Sequence, residues 1–313
     1  MQLIRPFTQW LFRLRGPERG EVVLVQRRIF ILPTGAGVMF AFVLLLMLTG
    51  SINYALSLGF ILTFLLGGLA VVAMLHTFRN LAGLRVTAGK AEPVFAGDLA
   101  RFPVTLRNPT RTPRYGIVVA RDREDHDVVD VPAESASVAT TAVRAERRGL
   151  LYPGRLTLYT RYPVALYRGW SYVELDTHCV VYPRPAQAGV PLPPLQAGGA
   201  EGSGHGEGHD DFSGLRQYHP GDSPRHIAWK AAAREQVLLT KQFTGYAPAE
   251  LRLSLDSVPP HLTLEEKISR LTRWVLDADA AGIAYGLTLP GASIDAATGV
   301  AHRERCLHAL ALA

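Results

Sequence analysis

Cysteine is scarce in this sequence, which contains only Cys179 and Cys306. The two residues stand far apart and form no Cys-x-x-Cys pair, so the sequence argues against a disulfide framework and against a thiolate metal site. The usual catalytic motifs are also missing. There is no Gly-x-Ser-x-Gly elbow, no Walker A loop, no His-Glu-x-x-His and no dinucleotide-binding Gly-x-Gly-x-x-Gly after a strand. Hydrolase, nucleotidase and dehydrogenase functions therefore lose their usual sequence support.

Charged residues are missing from one long stretch, Gly35 to Leu75. This run of about 41 residues fits two spans of roughly 20 residues each, the number that crosses a hydrocarbon core of about 30 Å. Polar residues from Thr49 to Tyr54 mark the predicted turn. A cleaved signal peptide would have a shorter apolar region nearer the start, and a buried pair of soluble helices would keep a charged face. The sequence thus predicts a transmembrane helical hairpin over residues 35–78.

Positive charges flank this hairpin on both sides, while its turn carries no charge. The flanking cations are Arg5, Arg13, Arg15, Arg19, Arg27 and Arg28 before it, and Arg79, Arg85 and Lys90 after it. The positive-inside rule predicts a multi-pass inner-membrane protein whose basic N-terminal segment, residues 1–34, and C-terminal domains are both cytoplasmic. Trp10, Leu11 and Phe12 suit an amphipathic anchor at the interface. The net charge of +6 then indicates contact with membrane lipid and no nucleic-acid partner.

Short alternating apolar runs fill residues 84–183, as in Phe102, Val104 and Leu106. Turn signals separate the runs, so this region is predicted to be an antiparallel, β-sandwich-like domain. Its charged cluster, Arg121–Asp127, is interpreted as a solvated loop, with a metal site as the alternative.

Residues 184–210 are rich first in Pro and then in Gly, and they predict a flexible linker. Histidines in and after this linker raise the possibility of a metal site. The residues concerned are His205, His209, Asp210, Asp211, His219 and His226. Against this site, the first two histidines sit in the Gly-rich linker and no known metal-ligand spacing is present.

The densest chemistry follows the linker, where cations and large aromatics are packed into a short motif. Its site residues are Arg216, Tyr218, Gly221, Asp222, Arg225, Ile227, Trp229, Lys230 and Arg234. Asp222 or Ser223 suits a helix N-cap with Pro224 at the first helical position. The guanidinium groups suit bidentate binding of a carboxylate or phosphate. The alternative interpretation is a structural ion-pair network that includes Asp222.

A strand, helix and strand are predicted near the end of the chain. Leucines alternate from Leu251 to Leu255, and Thr263 with Glu266 forms a capping box before a helical pattern that ends near Gly282. A second alternating run, 283–289, follows, so the two strands are expected to be parallel. Asp256 then lies at the carboxyl end of the first strand, where ligands bind in such sheets.

The motif resembles the signature of a bacterial family, the domain of unknown function 58 family. The matching residues are Gly214-Leu215-Arg216, Tyr218, Gly221-Asp222, Arg225, Ile227 and Trp229-Lys230. The resemblance extends to the two spans, to Ala96-Gly97-Asp98, Arg148-Gly149-Leu150 and Tyr162-Pro163, and to Val181-Tyr182-Pro183. Nearly the whole chain is covered.

The resemblance implies that residues 211–313 combine the signature motif with a von Willebrand factor type A-like domain. A type A metal site needs Asp-x-Ser-x-Ser after the first strand, whereas this chain has Asp256-Ser257-Val258-Pro259-Pro260. The two required serines are absent, so Asp256 marks a degenerate site and no metal is predicted. The expected fold class is an α+β multi-domain membrane protein with two transmembrane helices, a β-sandwich-like domain and a truncated, binding-only type A-like domain.

The family resemblance also implies a function. It predicts a non-enzymatic membrane-anchored adaptor without catalytic residues or cofactor. The implied partners are a MoxR-type AAA+ ATPase and a transglutaminase-like membrane protein, in the assembly or maturation of envelope proteins. One alternative is a metal-assisted hydrolase that uses His219, Asp222 and His226. Another is a sensor of an anionic envelope ligand, which predicts a charged concave surface on the β-rich domain.

Overall fold

The fold is mixed α+β, and the computed structural model describes residues 16–122, 124–194, 211–218, 227, 229, 239–244 and 251–313. Contacts divide the chain into two units, one ending at Arg184 and one beginning at Pro185. The helices of the described part are α1 (Gly35–Asn53), α2 (Ser57–Leu81), α3 (Leu264–Ala280) and α4 (Val300–Leu312). The strands of the first unit are β1 (Val22–Val23), β2 (Phe30–Pro33), β3 (Arg85–Ala88), β4 (Val94–Phe95), β5 (Leu99–Arg107), β6 (Arg114–Arg121), β7 (Glu124–Val131), β8 (Ala136–Arg144), β9 (Gly149–Leu151), β10 (Arg155–Thr160), β11 (Tyr167–Glu174) and β12 (Cys179–Tyr182). Those of the second are β13 (Asp211–Gln217), β14 (Leu239–Thr244), β15 (Leu251–Ser254), β16 (Tyr285–Leu289) and β17 (Ala292–Ala297).

Helices α1 and α2 form the predicted apolar hairpin, and both are long and apolar enough to cross a membrane. The turn lies later than predicted, because α1 continues through Thr49 and Ser51 to Asn53. The Thr49 and Ser51 hydroxyls donate to backbone carbonyls four residues earlier, so these polar groups are satisfied inside the helix. The chain reverses after Asn53, where Ala55 adopts a φ of 50°.

Two sheets of the first unit share one hydrophobic core. One sheet has the strand order β1-β3-β5-β8, and the other, here called the five-stranded sheet, has the order β2-β11-β10-β6-β7. The core takes Val86, Val104 and Leu106 from the first sheet and Ile117, Val119, Leu156, Leu158 and Val173 from the second. Two sheets that bury alternate residues against each other form a sandwich arrangement.

The hairpin is inserted into this β-rich unit. Strands β1 and β2 precede α1, yet Val22 of β1 pairs with Val86 of β3, and Pro33 of β2 pairs with Tyr167 of β11. Residues 22–33 therefore belong to the sheets, whereas the sequence predicted a separate segment over 1–34 and a β-rich domain that begins at 84. Strands of two and four residues are too short to show an alternating pattern. The anchor predicted at Trp10 lies outside the described residues.

The charged cluster Arg121–Asp127 was predicted to be a solvated loop, and this prediction is wrong. Strands β6 and β7 form a hairpin there, with Arg121 paired to Glu124 and with Asp122 in the turn at a φ of 49°. β7 is an edge strand of the five-stranded sheet. Charges on an edge strand keep it soluble and block pairing with other chains, which explains this composition.

The strand, helix and strand predicted near the end of the chain are confirmed in the second unit. β15 and β16 are parallel neighbours connected through α3. The capping box at Thr263 is present in full, and Gly282 follows the helix at a φ of 69°. The hairpin partner β17 and helix α4 were not predicted. Part of the predicted linker packs on α3, since the Trp274 indole nitrogen donates to the Pro191 carbonyl.

Candidate functional site

Most of the predicted signature motif lies outside the described residues. This holds for Gly221, Asp222, Arg225, Lys230 and Arg234, and for His205, His209, Asp210, His219 and His226. Four motif positions are placed. Arg216 pairs with Thr240 in the β13–β14 ladder, Tyr218 is half-buried after β13, Ile227 is buried and Trp229 is exposed. The role of this motif stays a prediction.

Asp256 lies where the sequence predicted, in a single helical turn that directly follows β15. Its side chain is exposed, and the neighbouring Ser254 and Ser257 hydroxyls are 2.9 Å apart. Within the described ranges, His, Cys, Asp and Glu side chains form no group of three suited to a metal ion.

A buried aromatic and thiol cluster lies between β16 and α4. Tyr285 and His302 are almost completely buried, with ring centroids 4.7 Å apart, and a His302 ring nitrogen lies 2.7 Å from the Tyr285 carbonyl oxygen. Burial raises the pKa of the adjacent Cys306 thiol to about 11. The thiol is therefore neutral at physiological pH and packs as a small apolar group.

Both hairpin helices hold one loop of the β-rich unit, residues 161–166, and this contact is here called the joint. At the start of α1, the Thr34 amide and hydroxyl donate to the carbonyls of Leu166 and Ala165, at 2.9 and 2.6 Å. At the end of α2, the Thr77 hydroxyl donates to the Tyr162 carbonyl at 2.7 Å. The helices are therefore anchored to the sheet by directed hydrogen bonds on both sides.

The last turn of α2 is buried in the β-rich unit. The Asn80 side-chain amide donates to the Tyr115 carbonyl and accepts from the Tyr115 amide, at 2.7 and 3.0 Å. Leu81 is a member of the shared core. Close approach depends on Gly169 of β11, where an added Cβ would lie 3.1 Å from a methyl carbon of Thr77. The end of α2 therefore contacts the loop 161–166 through Thr77 and the hydrophobic core through Leu81.

A cavity of about 920 Å³ lies beside the joint, on the face of the five-stranded sheet that points away from the core. It is called the joint cavity below. Its lining comes from the start of α1, from the loop 161–166 and from four strands: Leu32, Pro33, Thr34, Gly35, Ala36, Ala120, Thr157, Tyr159, Arg161, Ala165, Arg168, Trp170 and Tyr172. No Asp or Glu is among these described lining residues, and two are Arg. The joint cavity is therefore a basic, concave surface.

Aromatic rings form the floor of the joint cavity and carry the cations. The Arg168 guanidinium carbon lies 4.1 Å from the centre of the Tyr159 ring, and that of Arg161 lies 5.7 Å from the same ring. Phe30 stacks on Trp170 with centroids 5.7 Å apart. Stacking on a ring face restrains each guanidinium group. The N–H donors at the edge of that group point away from the ring and can bind another partner.

Two buried donors of the joint cavity have no hydrogen-bond partner among the described residues. They are the Nε atom of Arg168 and the indole Nε1 atom of Trp170. Buried N–H groups are nearly always paired in folded proteins. The missing partners mark Arg168 and Trp170 as candidate ligand contacts.

The sequence interpretation missed these residues. A signal was present, because Arg168, Trp170 and Tyr172 alternate with the inward residues Gly169, Ser171 and Val173. That alternation marks an outer face rich in arginine and aromatics.

Comparison with known proteins gives little guidance. No protein-family model matches the chain, and no curated protein matches it. Among solved structures, the chain has a likeness to the CARDB domain of a Pyrococcus furiosus protein, determined by NMR in solution. The likeness has 14% identity and a TM-score of 0.20, and it covers 31% of this chain and 93% of that domain. A TM-score this low does not establish a shared fold.

Proposed function

We propose that this protein is a non-enzymatic, membrane-anchored adaptor. The observation that carries the proposal is the apolar hairpin, whose most apolar windows are only 6% and 11% buried in α1 and α2. Soluble monomers seldom expose contiguous apolar patches beyond a few hundred Å². Lipid is the solvent that suits such a surface, whereas a core helix of a soluble protein would be covered by its own chain.

The lengths of the two helices support two spans. Nineteen residues of α1 extend about 28 Å at 1.5 Å per residue. Residues 57–76 of α2 extend about 30 Å before its last turn enters the β-rich unit, which equals the thickness of a hydrocarbon core. Hydroxyls within the spans, such as that of Thr63, donate to carbonyls of their own helix, as an apolar solvent requires.

The joint supports one orientation for both flanks. Strand β2 enters α1 and α2 returns to β3, and both helices bond to the loop 161–166. This arrangement supports a topology in which both ends of the hairpin lie on the same side of the membrane. Arg27 and Arg28 before the hairpin and Arg79 and Arg85 after it favour the cytoplasmic side.

The adaptor role and its partners rest on the resemblance to the domain of unknown function 58 family. Within this proposal the second unit is a von Willebrand factor type A-like module, consistent with the parallel β15–α3–β16 connection and with Asp256 at the carboxyl edge. Its partner is a MoxR-type AAA+ ATPase, with a transglutaminase-like membrane protein as a second partner. The signature motif from Arg216 to Arg234 is the proposed contact.

Three experiments test this proposal with the whole chain. Extraction of membranes with alkaline carbonate should leave the chain in the pellet, and a reporter fused after Ala313 should be cytoplasmic. A pull-down from detergent should recover the ATPase in a nucleotide-dependent way. The double variant Arg216→Ala/Asp222→Ala should abolish recovery, whereas Arg144→Ala, an exposed charge on β8, should not. Unchanged recovery with the double variant would remove the motif from the interface.

A second candidate function, recognition of an anionic envelope ligand, is favoured by the joint cavity. The β-rich unit carries the basic concave surface that this hypothesis predicts. The hydrolase alternative has no comparable support, since His219, Asp222 and His226 lie outside the described residues.

A further inference from the structure

We propose that the joint cavity binds the phosphate headgroup of an anionic phospholipid. This inference deepens the proposed function, because it relies on the hairpin lying in a membrane. It assigns a ligand class to residues of the first unit alone and is independent of the signature motif.

The charges and donors of the joint cavity define the ligand as an anion with several acceptor atoms. Arg161 and Arg168 supply positive charge, and no carboxylate among the described lining residues neutralises it. The unpartnered Nε of Arg168 and Nε1 of Trp170 are donors without acceptors of their own. A phosphate diester offers its oxygens to the guanidinium groups of Arg161 and Arg168, and bonds from a guanidinium to phosphate are charge-assisted.

The first turn of α1 adds to the positive electrostatic potential of the joint cavity. Gly35 and Ala36 line the joint cavity, and the first N–H groups of a helix have no partner within it. The positive end of the helix dipole therefore points toward the space that the two arginines face. Three independent features thus favour one negatively charged occupant.

The position of the joint cavity favours a lipid over a free anion. Its wall at Leu32, Pro33 and Ala165 is apolar, and the first turn of α1, where the first span begins, lines it as well. Aromatic and arginine side chains are enriched at this level of membrane proteins, where headgroups lie. Pockets for small ligands span roughly 300–1,000 Å³, so the cavity of about 920 Å³ accommodates a headgroup.

The test uses the purified full-length chain in detergent, with bound lipids counted by native mass spectrometry. Phosphatidylglycerol and phosphatidylcholine with identical acyl chains are offered in equal amounts. The variants are Arg161→Gln/Arg168→Gln, Arg161→Gln alone and Trp170→Phe, which keeps the ring but removes the indole donor. Arg101→Gln, which removes an exposed charge from the opposite sheet, is the matched control. Free glycerol phosphate is added in a separate arm as a competitor.

The wild-type chain should retain phosphatidylglycerol about tenfold better than phosphatidylcholine, because both lipids offer a phosphate diester but only choline brings a cation beside the two arginines. The double variant should lose this preference, the single variants should weaken it severalfold and Arg101→Gln should keep it. Thermal unfolding of each variant checks its fold. Because Arg161 is exposed and Trp170→Phe is conservative, an unchanged preference in both single variants overturns the proposal even if the double variant unfolds.

Two further results would also overturn it. Equal retention of both lipids by the wild type would mean that the joint cavity does not select a headgroup. Displacement of the lipid by equimolar glycerol phosphate would mean that the ligand is a soluble phosphate. Neither result affects the membrane anchor, which fails only if carbonate releases the chain.

Discussion

The hydroxyl of Thr77 donates a 2.7 Å hydrogen bond to the carbonyl oxygen of Tyr162, so the end of the second apolar helix is fastened to a loop that lies 85 residues away in sequence. The same hydroxyl also donates within its helix, to Ala73. The joint therefore depends on a small number of side chains that can be changed one at a time.

Thr77→Val removes this hydroxyl and keeps the shape of the side chain. The Tyr162 carbonyl then loses a partly buried donor, and the full-length chain should lose about 1 kcal/mol of unfolding free energy. Thr63→Val is the control, because the Thr63 hydroxyl bonds only within its own helix, to Gly59. Denaturant unfolding in detergent measures both variants. Equal destabilisation by the two would argue against a role of the joint.

Gly37→Ala tests the close packing at the start of α1. An added Cβ would overlap the Leu166 backbone carbonyl, which cannot move aside as a flexible side chain would. We expect destabilisation of about 1–3 kcal/mol, the usual range for overpacking. Gly67→Ala is the matched control, since nothing lies within 4 Å of a Cβ at that position. A thermal midpoint for Gly37→Ala as high as that of the control would contradict the packing at Leu166.

The capping box of α3 predicts a pH dependence. Hydrogen bonds from the Thr263 hydroxyl and amide lower the pKa of Glu266. A carboxyl with a lowered pKa in the folded state stabilises the fold above its unfolded pKa, and this contribution is lost as the pH falls through the folded value. The protection of the first-turn amides of α3 against hydrogen exchange, measured relative to the intrinsic exchange rate at each pH, should therefore fall on acidification.

Glu266→Gln should make that protection less sensitive to pH across this range. Glu304→Gln, at an exposed position of α4, should leave the wild-type profile unchanged. A wild-type profile retained in Glu266→Gln would assign the pH dependence to another group.

Both cysteines should be inert in the folded chain. Cys179 and Cys306 are free and fully buried, and burial raises the pKa of each thiol. A maleimide reagent should label neither residue in the native protein and both in denaturant, as counted by mass spectrometry. Ala136→Cys places a thiol at an exposed position of β8 and should react at once. Rapid native labelling of Cys306 would show that α4 opens readily.

Periodicity and local capping made parts of the fold predictable. The uncharged run predicted the hairpin. The alternation of Phe102, Val104 and Leu106 predicted strand β5, and the capping box of Thr263 and Glu266 predicted the start of α3. Each of these signals lies within a few neighbouring residues or in one continuous run. Such local patterns predict structure correctly when the tertiary contacts favour the same structure, as they do here.

The joint and its cavity were not predictable in the same way. The cavity requires β2, β11, β10 and β6 to be neighbours, and this strand order does not follow the order of the chain. β2 ends in Pro33 and is too short to display alternation. Arg168 and Trp170 meet the first turn of α1 only after the sheet has formed, so no sequence window contains them together.

The insertion of the hairpin between β2 and β3 has a consequence for biosynthesis. β2, which ends at Pro33, pairs with β11, which begins at Tyr167, so β2 cannot join its sheet until β11 has been synthesised. Translation at about 5–20 residues per second separates the emergence of these two residues by on the order of ten seconds. Both apolar helices leave the ribosome within that interval. The β-rich unit can therefore close only after both apolar helices have emerged, so any event that sequesters these helices during synthesis precedes closure of the five-stranded sheet.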